Sequence, residues 1–406
     1  MSYICPRAEH PNKRELYEFR DTEKDPRYQR RDMSLEHWSE FRLRFLAELE
    51  KGESTASLTE LSLLVAAEDD ALISHSSVKF PVEAYSKRLE KLTQDFEVWL
   101  GSLPEDCRRG DSQKIELLFE FLFGDSGFKP WVSKYNNFKS SIPQNSIVDH
   151  PGVWEPSNVA YLNSVLARKK GLPACLSIIV SDILQRLLEH GTISHFHKVT
   201  VSSHGLPDVE LVQGIHEKMN CCSFDALRLL VTHLKRSYWP FQWSSQDPSG
   251  GGFVGAAKTF LSGAESAESE AIARAAVHRL ERGVWTSPGA GDIRRAIAAC
   301  ERLVLLYSDD VCADDGSRLL EAVARRDLGV LLCHTGRFEQ AKVELQRCKD
   351  LIGYRDLEYA IYVDKLLHVL REVPMKSKLM MYTMKTAKDQ CALQQKATPQ
   401  ILPLTW

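Results

Sequence analysis

The chain has 406 residues, of which 43% are hydrophobic and 26% charged, and its 52 Lys and Arg against 55 Asp and Glu give a net charge of −3. These values indicate a folded globular protein of two or three domains rather than a disordered chain. The balanced charge argues against a general nucleic-acid binder, which needs an excess of cations to displace counterions. No apolar run approaches the ~18 residues of a transmembrane helix, so we expect no membrane span.

The ten cysteines are scattered along the chain without a Cys-x-x-Cys pair, so we expect no zinc site. His195 and His197 share one face of a predicted strand, but no third ligand follows at a suitable spacing. The N-terminal segment lacks the apolar stretch of a secretion signal. We therefore expect buried, reduced thiols in an intracellular compartment, with no metal and no cofactor.

The N-terminal region divides into a polar arm and a helical bundle. Residues 6–33 are almost wholly polar, so we predict a flexible arm over residues 1–33. From Ser34, a suitable N-cap, apolar residues recur at helical spacing. The clearest pattern follows Pro81, where apolar residues return every three or four positions as far as Trp99. We predict a helical bundle over residues 34–123.

The middle of the chain, residues 124–243, predicts helices around a small sheet. Two segments, 195–202 and 208–213, alternate apolar and polar side chains, which is typical of strands. The Gly- and Ser-rich stretch that follows predicts a linker over residues 244–264. The fold class that this pattern indicates is mainly α with a small α+β centre.

Residues 265–371 carry a pattern of tetratricopeptide-like helical hairpins, and residues 372–406 form a basic tail. Such hairpins need small residues where two helices cross and large ones where they interdigitate. A half-match over 291–303 expects its first helix near 267–282, and a helix over 354–370 would cap the stack. The spacing of the full repeat is met by Leu328, Gly329, Leu332, Gly336, Phe338, Ala341, Leu345 and Cys348.

Stacking of such hairpins would leave one face of the first helix of the full repeat on a concave surface. We call this the groove face, and its expected residues are Val323, Arg326, Val330, Cys333 and His334. A groove of this kind could bind an extended peptide of a protein partner. The alternative is that the repeats only brace the neighbouring domain.

The candidate for chemistry is Cys175, which follows Gly171-Leu172-Pro173 at the predicted start of a helix. The free N–H groups and the dipole of a helix N-terminus favour a thiolate. Nucleophilic catalysis also needs a histidine base, for which His195, His197 and His204 are the candidates. The alternative is that Cys175 is a small apolar residue packing the start of the helix.

Residues 159–187, VAYLNSVLARKKGLPACLSIIVSDILQRL, resemble the SirB-type family of transglutaminase-like proteins. The helical N-terminal region with AAEDDA (66–71) and the repeat with RRDLGVLL (325–332) are similar to that family's layout, so the resemblance covers most of residues 35–371. The stretches 204–220 and 278–303 are similar to a plant and algal branch. The resemblance implies a transglutaminase-like core between the helical bundle and the repeats, and its plant and algal branch suggests a plastid.

The departures from the family pattern bear on activity. Transglutaminase-like enzymes begin their central helix with the nucleophilic cysteine, a place that Cys175 could occupy. The family's next strand usually carries a histidine, and at that position this chain has Val209. The resemblance therefore implies a degenerate site and a non-catalytic protein-interaction or scaffold protein. The alternative function is a cysteine-dependent peptidase or amidohydrolase that uses Cys175.

Two charged clusters complete the sequence picture. Glu68, Asp69 and Asp70 are consecutive on a predicted helix, and we expect a solvated cluster, one member of which could have a partner in the adjacent domain. Arg168, Lys169 and Lys170 precede a helix break. Cations there favour the last carbonyl groups of the helix, although the cluster could also contact an acidic partner.

Overall fold

A computed structural model describes residues 26–74, 77–105, 110–131, 156–195, 197–202, 205–211, 222–239, 292–308, 315–335, 337–352 and 367. The predicted linker, the helices expected near 267–282 and over 354–370, the basic tail, residues 1–25 of the arm and His204 lie outside these residues, apart from Leu367 within the second helix. The described chain is mainly helical with few strands, as the sequence predicts. Its ten α-helices are α1 (Pro26–Leu49), α2 (Leu58–Ser74), α3 (Val82–Ser102), α4 (Asp111–Phe119), α5 (Leu162–Arg168), α6 (Pro173–Glu189), α7 (Phe224–Tyr238), α8 (Ile293–Ser308), α9 (Asp315–His334) and α10 (Phe338–Ile352).

The first helix begins earlier than the sequence pattern predicts. Helix α1 starts at Pro26, so the boundary expected at Ser34 is wrong. A proline suits the first turn of a helix, and the Arg and Gln residues that follow it are good helix formers despite their polarity. Ser34 lies buried inside α1, where its hydroxyl donates to the carbonyl oxygen of Ala71 in α2.

The described residues include four short strands, which form two separate pairs. A parallel pair joins β1 (Lys129–Pro130) to β2 (Lys170–Gly171), and an antiparallel pair joins β3 (His197–Thr200) to β4 (Asp208–Leu211). The second pair occupies the two segments that the alternating pattern selects. Because each pair is so short, the helices carry the fold.

Helix α6 is the centre of the molecule. Most of its surface is apolar and buried, apart from a polar face with Asp182, Gln185 and Arg186, and it packs against α2, α3, α7 and β3. Pro173 stands at its first position, and Gly171 allows the chain to approach α5 closely just before it. A Cβ atom at Gly171 would lie 2.6 Å from both methyl carbons of Val165.

The C-terminal helices continue the stack rather than forming a detached unit. Helix α8 runs antiparallel to α7: the N–H of Asp292 donates to the carbonyl oxygen of Tyr238, while Arg228 donates to the carbonyl oxygen of Leu306. Helix α9 packs on α8, and α10 packs on α9. One continuous hydrophobic core extends from Trp38 in α1 to Ile352 in α10.

The hairpin of α9 and α10 has the close crossing that the spacing of its residues predicts. A Cβ atom at Gly329 would lie 2.6 Å from Cγ of Leu345, so only glycine fits at this approach of the two helices. Ala341, Leu345 and Cys348 are buried along the facing side of α10. The alternation of large and small residues thus explains how these two helices pack.

Candidate functional site

Cys175 lies in the first turn of α6, where the sequence places it, but its side chain is 0% exposed. Its thiol donates to the carbonyl oxygen of Ala160, with 3.3 Å between sulfur and oxygen. Burial raises the pKa of Cys175 well above that of an ordinary thiol, and a backbone hydrogen bond from Leu172 lowers it by less. The expectation that the helix N-terminus would favour a thiolate is therefore wrong, because removal from water outweighs it.

The two described candidate bases contact other groups. His195 is exposed, and its Nδ1 lies 2.8 Å from Oδ2 of Asp111. His197 directs its Nδ1 at the carbonyl oxygen of His195, 2.7 Å away, and burial lowers the pKa of His197. In the part of the chain that the structure describes, no imidazole is hydrogen-bonded to Cys175.

Val209, at the position where the resemblance leads us to expect a histidine, belongs to the antiparallel strand pair. Val209 lies in β4 and faces Val199 of β3 in register. Val199 is buried, and Val209 packs against the same core. This position therefore contributes apolar packing.

The structure gives unequal exposure to the residues expected on the groove face. Val323 is half-buried in α9, whereas Val330 is only 8% exposed and can offer a partner little surface. Arg326 donates from Nη2 to Oδ1 of Asp327 at 2.7 Å. Cys333 and His334 belong to the last turn of α9, and their side chains lie outside the description.

Asp327 connects α9, the helix that carries the groove face, to α7. Lys235 of α7 donates to one of its carboxylate oxygens and Arg326 to the other. Burial by itself would raise the pKa of Asp327, but the two cations outweigh it and lower the pKa to about 2. Arg326 is thus part of an ion-paired cluster between α9 and α7 and does not stand free in a groove.

The acidic triplet of α2 is not the solvated cluster that the sequence suggests. Glu68 and Asp69 are almost fully buried, and both accept from Arg302 of α8, whose side chain is also buried. The guanidinium of Arg302 contacts Glu68 at 3.1 and 2.8 Å and Asp69 at 2.8 Å. The alternative expectation, a partner in the adjacent region for one member of the triplet, is confirmed and holds for two.

The buried carboxylates extend into a larger hydrogen-bonded network. Tyr161 donates its hydroxyl to Oδ2 of Asp69 at 2.6 Å and also contacts the hydroxyl of Tyr238. Arg295 donates to the Tyr238 hydroxyl at 3.0 Å and lies over its ring, 4.0 Å from the centroid. The network therefore joins α2, the segment before α5, α7 and α8.

Sequence reasoning missed Arg302 and Tyr161, although a signal for the first was present. Arg302 interrupts a face of α8 that is otherwise made of alanines and large apolar residues, and Glu68-Asp69 interrupts the equally apolar α2. Charges of opposite sign inside two apolar helices indicate a buried ion pair, because a lone buried charge is strongly disfavoured. Tyr161 carried no comparable signal.

Comparison with known proteins gives no identity: no family model, curated protein or solved structure matches this chain. The resemblance to SirB-type proteins and the assignment of tetratricopeptide-like repeats thus stay predictions. Among the described residues, no helix is long and apolar enough to cross a membrane. Within the same part of the chain, no three His, Cys, Asp or Glu side chains are grouped so that they could hold a metal ion.

Proposed function

We propose that this protein is a non-catalytic protein-binding or scaffold protein, in which a degenerate transglutaminase-like core is joined to tetratricopeptide-like repeats. The observation that carries the proposal is the complete burial of the Cys175 thiol, which also raises its pKa. A nucleophilic cysteine needs a thiolate, an open approach for the substrate and a base within hydrogen-bond reach. Burial and the bond to Ala160 favour the opposite state.

The alternative, a cysteine-dependent peptidase or amidohydrolase, makes a contrary prediction about reactivity. Cys300 in α8 is a matched internal standard, since it is as fully buried as Cys175 and burial raises its pKa in the same way. In the folded protein near neutral pH, we expect iodoacetamide to label Cys175 no faster than Cys300, as measured by peptide mass spectrometry over time. Both should label at the ordinary rate after unfolding.

Selective labelling of Cys175 in the folded state would contradict the proposal. In that case, loss of amide hydrolysis in Cys175→Ala would establish the enzyme. Equal and slow labelling of the two thiols would argue against the enzyme and support the proposal of a non-catalytic binding protein.

Support for protein binding comes from the arrangement of the C-terminal helices. Helices α7, α8, α9 and α10 pack one on the next, and the tight crossing at Gly329 fixes the last hairpin. Stacked helical hairpins create extended surfaces that bind peptides without a catalytic group. A plastid location remains part of this proposal and rests on the resemblance alone.

The test of the groove face uses Val323, because its side chain is partly exposed and, unlike that of Arg326, takes no part in the ion pair with Asp327. Affinity isolation under native conditions with the full chain should recover a partner whose yield falls severalfold in Val323→Glu and in His334→Ala. Val343 on α10 is a matched control, since it is an exposed valine outside the groove face. Val343→Glu should leave the yield unchanged.

Equal recovery of the partner by all of these variants would show that the groove face does not bind it. Arg326→Glu is a poor probe, because it would place a carboxylate beside Asp327 and disturb the pair with Lys235. Circular dichroism of each variant separates loss of a contact from loss of folding.

A further inference from the structure

The pairing of β1 with β2 gathers four cationic side chains at one place on the surface. Lys129 lies on β1, Lys170 on β2, and Arg168 and Lys169 immediately precede β2; all four are exposed. The N–H of Lys129 donates to the carbonyl oxygen of Lys169 at 2.8 Å, so the two segments are held together directly. We call these four residues the basic patch.

The basic patch has no acidic counterpart in the described chain. The ion pairs found there leave out all four of its side chains, although other exposed cations, such as Lys79 and Arg44, pair with Glu40 and Glu83. Asp125, the acidic residue closest to Lys129 in sequence among those described, makes no ion pair with the patch either. Within the described residues, therefore, no ion pair compensates the local positive charge.

The strand register places two of these charges side by side. Lys129 and Lys170 are partners in the parallel pair, and neighbouring strands are only about 4.8 Å apart. Like charges on directly facing residues destabilise a sheet. A neutral residue at either position would suit the strand pair better.

Lys169 adds a second departure from what local stability favours. Its φ of 55° lies in the left-handed region, and it is the only residue other than glycine with a positive φ among the residues described. It occupies the C-cap of α5, where glycine is the usual choice. A cation does suit a helix C-terminus, but Arg168 already supplies one in the last turn of α5.

We propose that the basic patch binds an acidic peptide segment of a partner protein. Residues that are unfavourable for the local backbone and strand pair, and that share one charge, are the expected signature of a surface kept for binding. Carboxylates on an extended peptide would neutralise the facing lysines and relieve their repulsion. The patch lies on β1, β2 and the end of α5, so it is separate from the groove face on α9.

The size of the patch favours a peptide over a nucleic acid. Nucleic-acid binding draws on many phosphate contacts along a backbone, whereas the patch presents four cations around a ladder of two residues per strand. The chain as a whole also carries a net charge of −3. A short run of glutamates or aspartates matches this extent.

The experiment measures the binding of a fluorescein-labelled oligoglutamate peptide to the full chain by fluorescence anisotropy. The test variant is Lys169→Gly combined with Lys170→Thr, which removes two charges while supplying the residue types that the backbone prefers. We expect affinity to fall about fivefold, as for the loss of two exposed ionic contacts. The melting temperature should be no lower than that of the wild type, because glycine fits the left-handed C-cap and threonine suits a strand.

A matched control removes the same charge elsewhere. Lys87 and Lys91 are exposed on α3, and Lys87→Gln with Lys91→Gln should leave the affinity unchanged. Equal loss in both double variants would reduce the effect to the net charge of the protein and overturn the proposal. Absent binding by the wild type, or unchanged affinity in the test variant, would overturn it as well.

An oligouridylate of equal charge distinguishes the class of partner. Tighter binding of this RNA than of the peptide, lost in the same test variant, would replace the acidic peptide by a nucleic acid and overturn the proposal. Val323→Glu should not change the affinity for oligoglutamate. Failure of the groove face and failure of the basic patch are therefore distinguishable.

Discussion

Two fully buried polar side chains in this protein, those of Cys175 and Arg302, differ in their charge and in their neighbours. Cys175 is a thiol inside the core that meets only backbone groups, the carbonyl oxygen of Ala160 and the backbone of Leu172. Arg302 is a charged guanidinium that is equally removed from water but faces two carboxylates. The difference shows that a buried group keeps its charge where opposite charges meet it, while a helix N-terminus alone does not suffice.

Arg302 and its two carboxylates also connect two distant helices, which Cys175 does not. Burial lowers the pKa of Arg302, but Asp69 and Glu68 outweigh that effect and raise it. The carboxylates belong to α2 and the guanidinium to α8, residues distant in sequence. Separating the two helices would leave charges of both signs in an apolar environment, so the N-terminal bundle and the C-terminal stack are expected to fold as one unit.

The largest expected effect comes from removing the cation of the charged site. Arg302→Met removes the buried cation that Glu68 and Asp69 share and leaves Glu68 only Arg42, 3.5 Å away. Breaking a buried ion pair in this way costs about 3–5 kcal/mol of the free energy of unfolding. Chemical denaturation followed by circular dichroism would measure this loss. Methionine keeps much of the side-chain volume, so the loss reports charge rather than a cavity.

Arg318 provides the control for this substitution. It lies on α9 and is exposed, so Arg318→Met should change the free energy of unfolding by less than about 0.5 kcal/mol. Adding Glu68→Gln and Asp69→Asn to Arg302→Met should restore part of the stability, because the uncompensated charges are then gone. A cost at Arg302 no larger than at Arg318 would show that the carboxylates are not held as the structure describes.

A second charged site tests the same rule through pH. Lys235 and Arg326 hold the pKa of Asp327 at about 2, below the ordinary value of 3.8. Because the folded-state pKa is the lower one, Asp327 stabilises the fold above about pH 4, and this contribution of about 2 kcal/mol disappears as the pH falls through 2. Asp327→Asn should therefore flatten the acid limb of the stability curve in that window.

Denaturation of the wild type and of Asp327→Asn at about pH 5 and about pH 2.5 measures this difference. Asp125→Asn is the control, since this aspartate is exposed and makes no ion pair in the described chain. Parallel acid limbs for the wild type and Asp327→Asn would contradict the ion-paired state of Asp327.

The sequence predicts the secondary structure better than the contacts between distant segments. Helical periodicity finds α3, whose pattern stops at Trp99 where the helix ends at Ser102, as well as the start of α6, and alternation finds β3 and β4, because these patterns depend on residues close in the chain. The start of α1 is missed, since the turns before Ser34 are polar and helix formation there leaves no apolar signal. The crossing at Gly329 is predictable because small residues at fixed spacing determine it.

The site is less predictable than the fold, for a physical reason. Whether Cys175 is a thiolate depends on how much water reaches it, and neighbours such as Ala160 that decide this are brought in by the fold. The same holds for Glu68 and Asp69, whose partner lies on a helix more than half the chain away. Local sequence gives the chemical type of a residue, whereas burial and charge partners give its state.

The smallest expected effect concerns Cys175. The direction in which this thiol changes the free energy of unfolding with pH distinguishes the two functions considered for it. Burial raises the pKa of the folded thiol, so stability is fully present below about pH 8.5, where the unfolded thiol ionises, and is lost as the pH rises further. Cys175→Ala should make this alkaline decline shallower by up to about 1.4 kcal/mol per pH unit, and Cys300→Ala should do the same because that thiol is buried alike. An activated nucleophile would behave oppositely, since a lowered pKa makes the wild type gain stability relative to Cys175→Ala between about pH 6 and pH 9. Denaturation of the three proteins from about pH 6 to about pH 10 covers both effects and distinguishes the two signs.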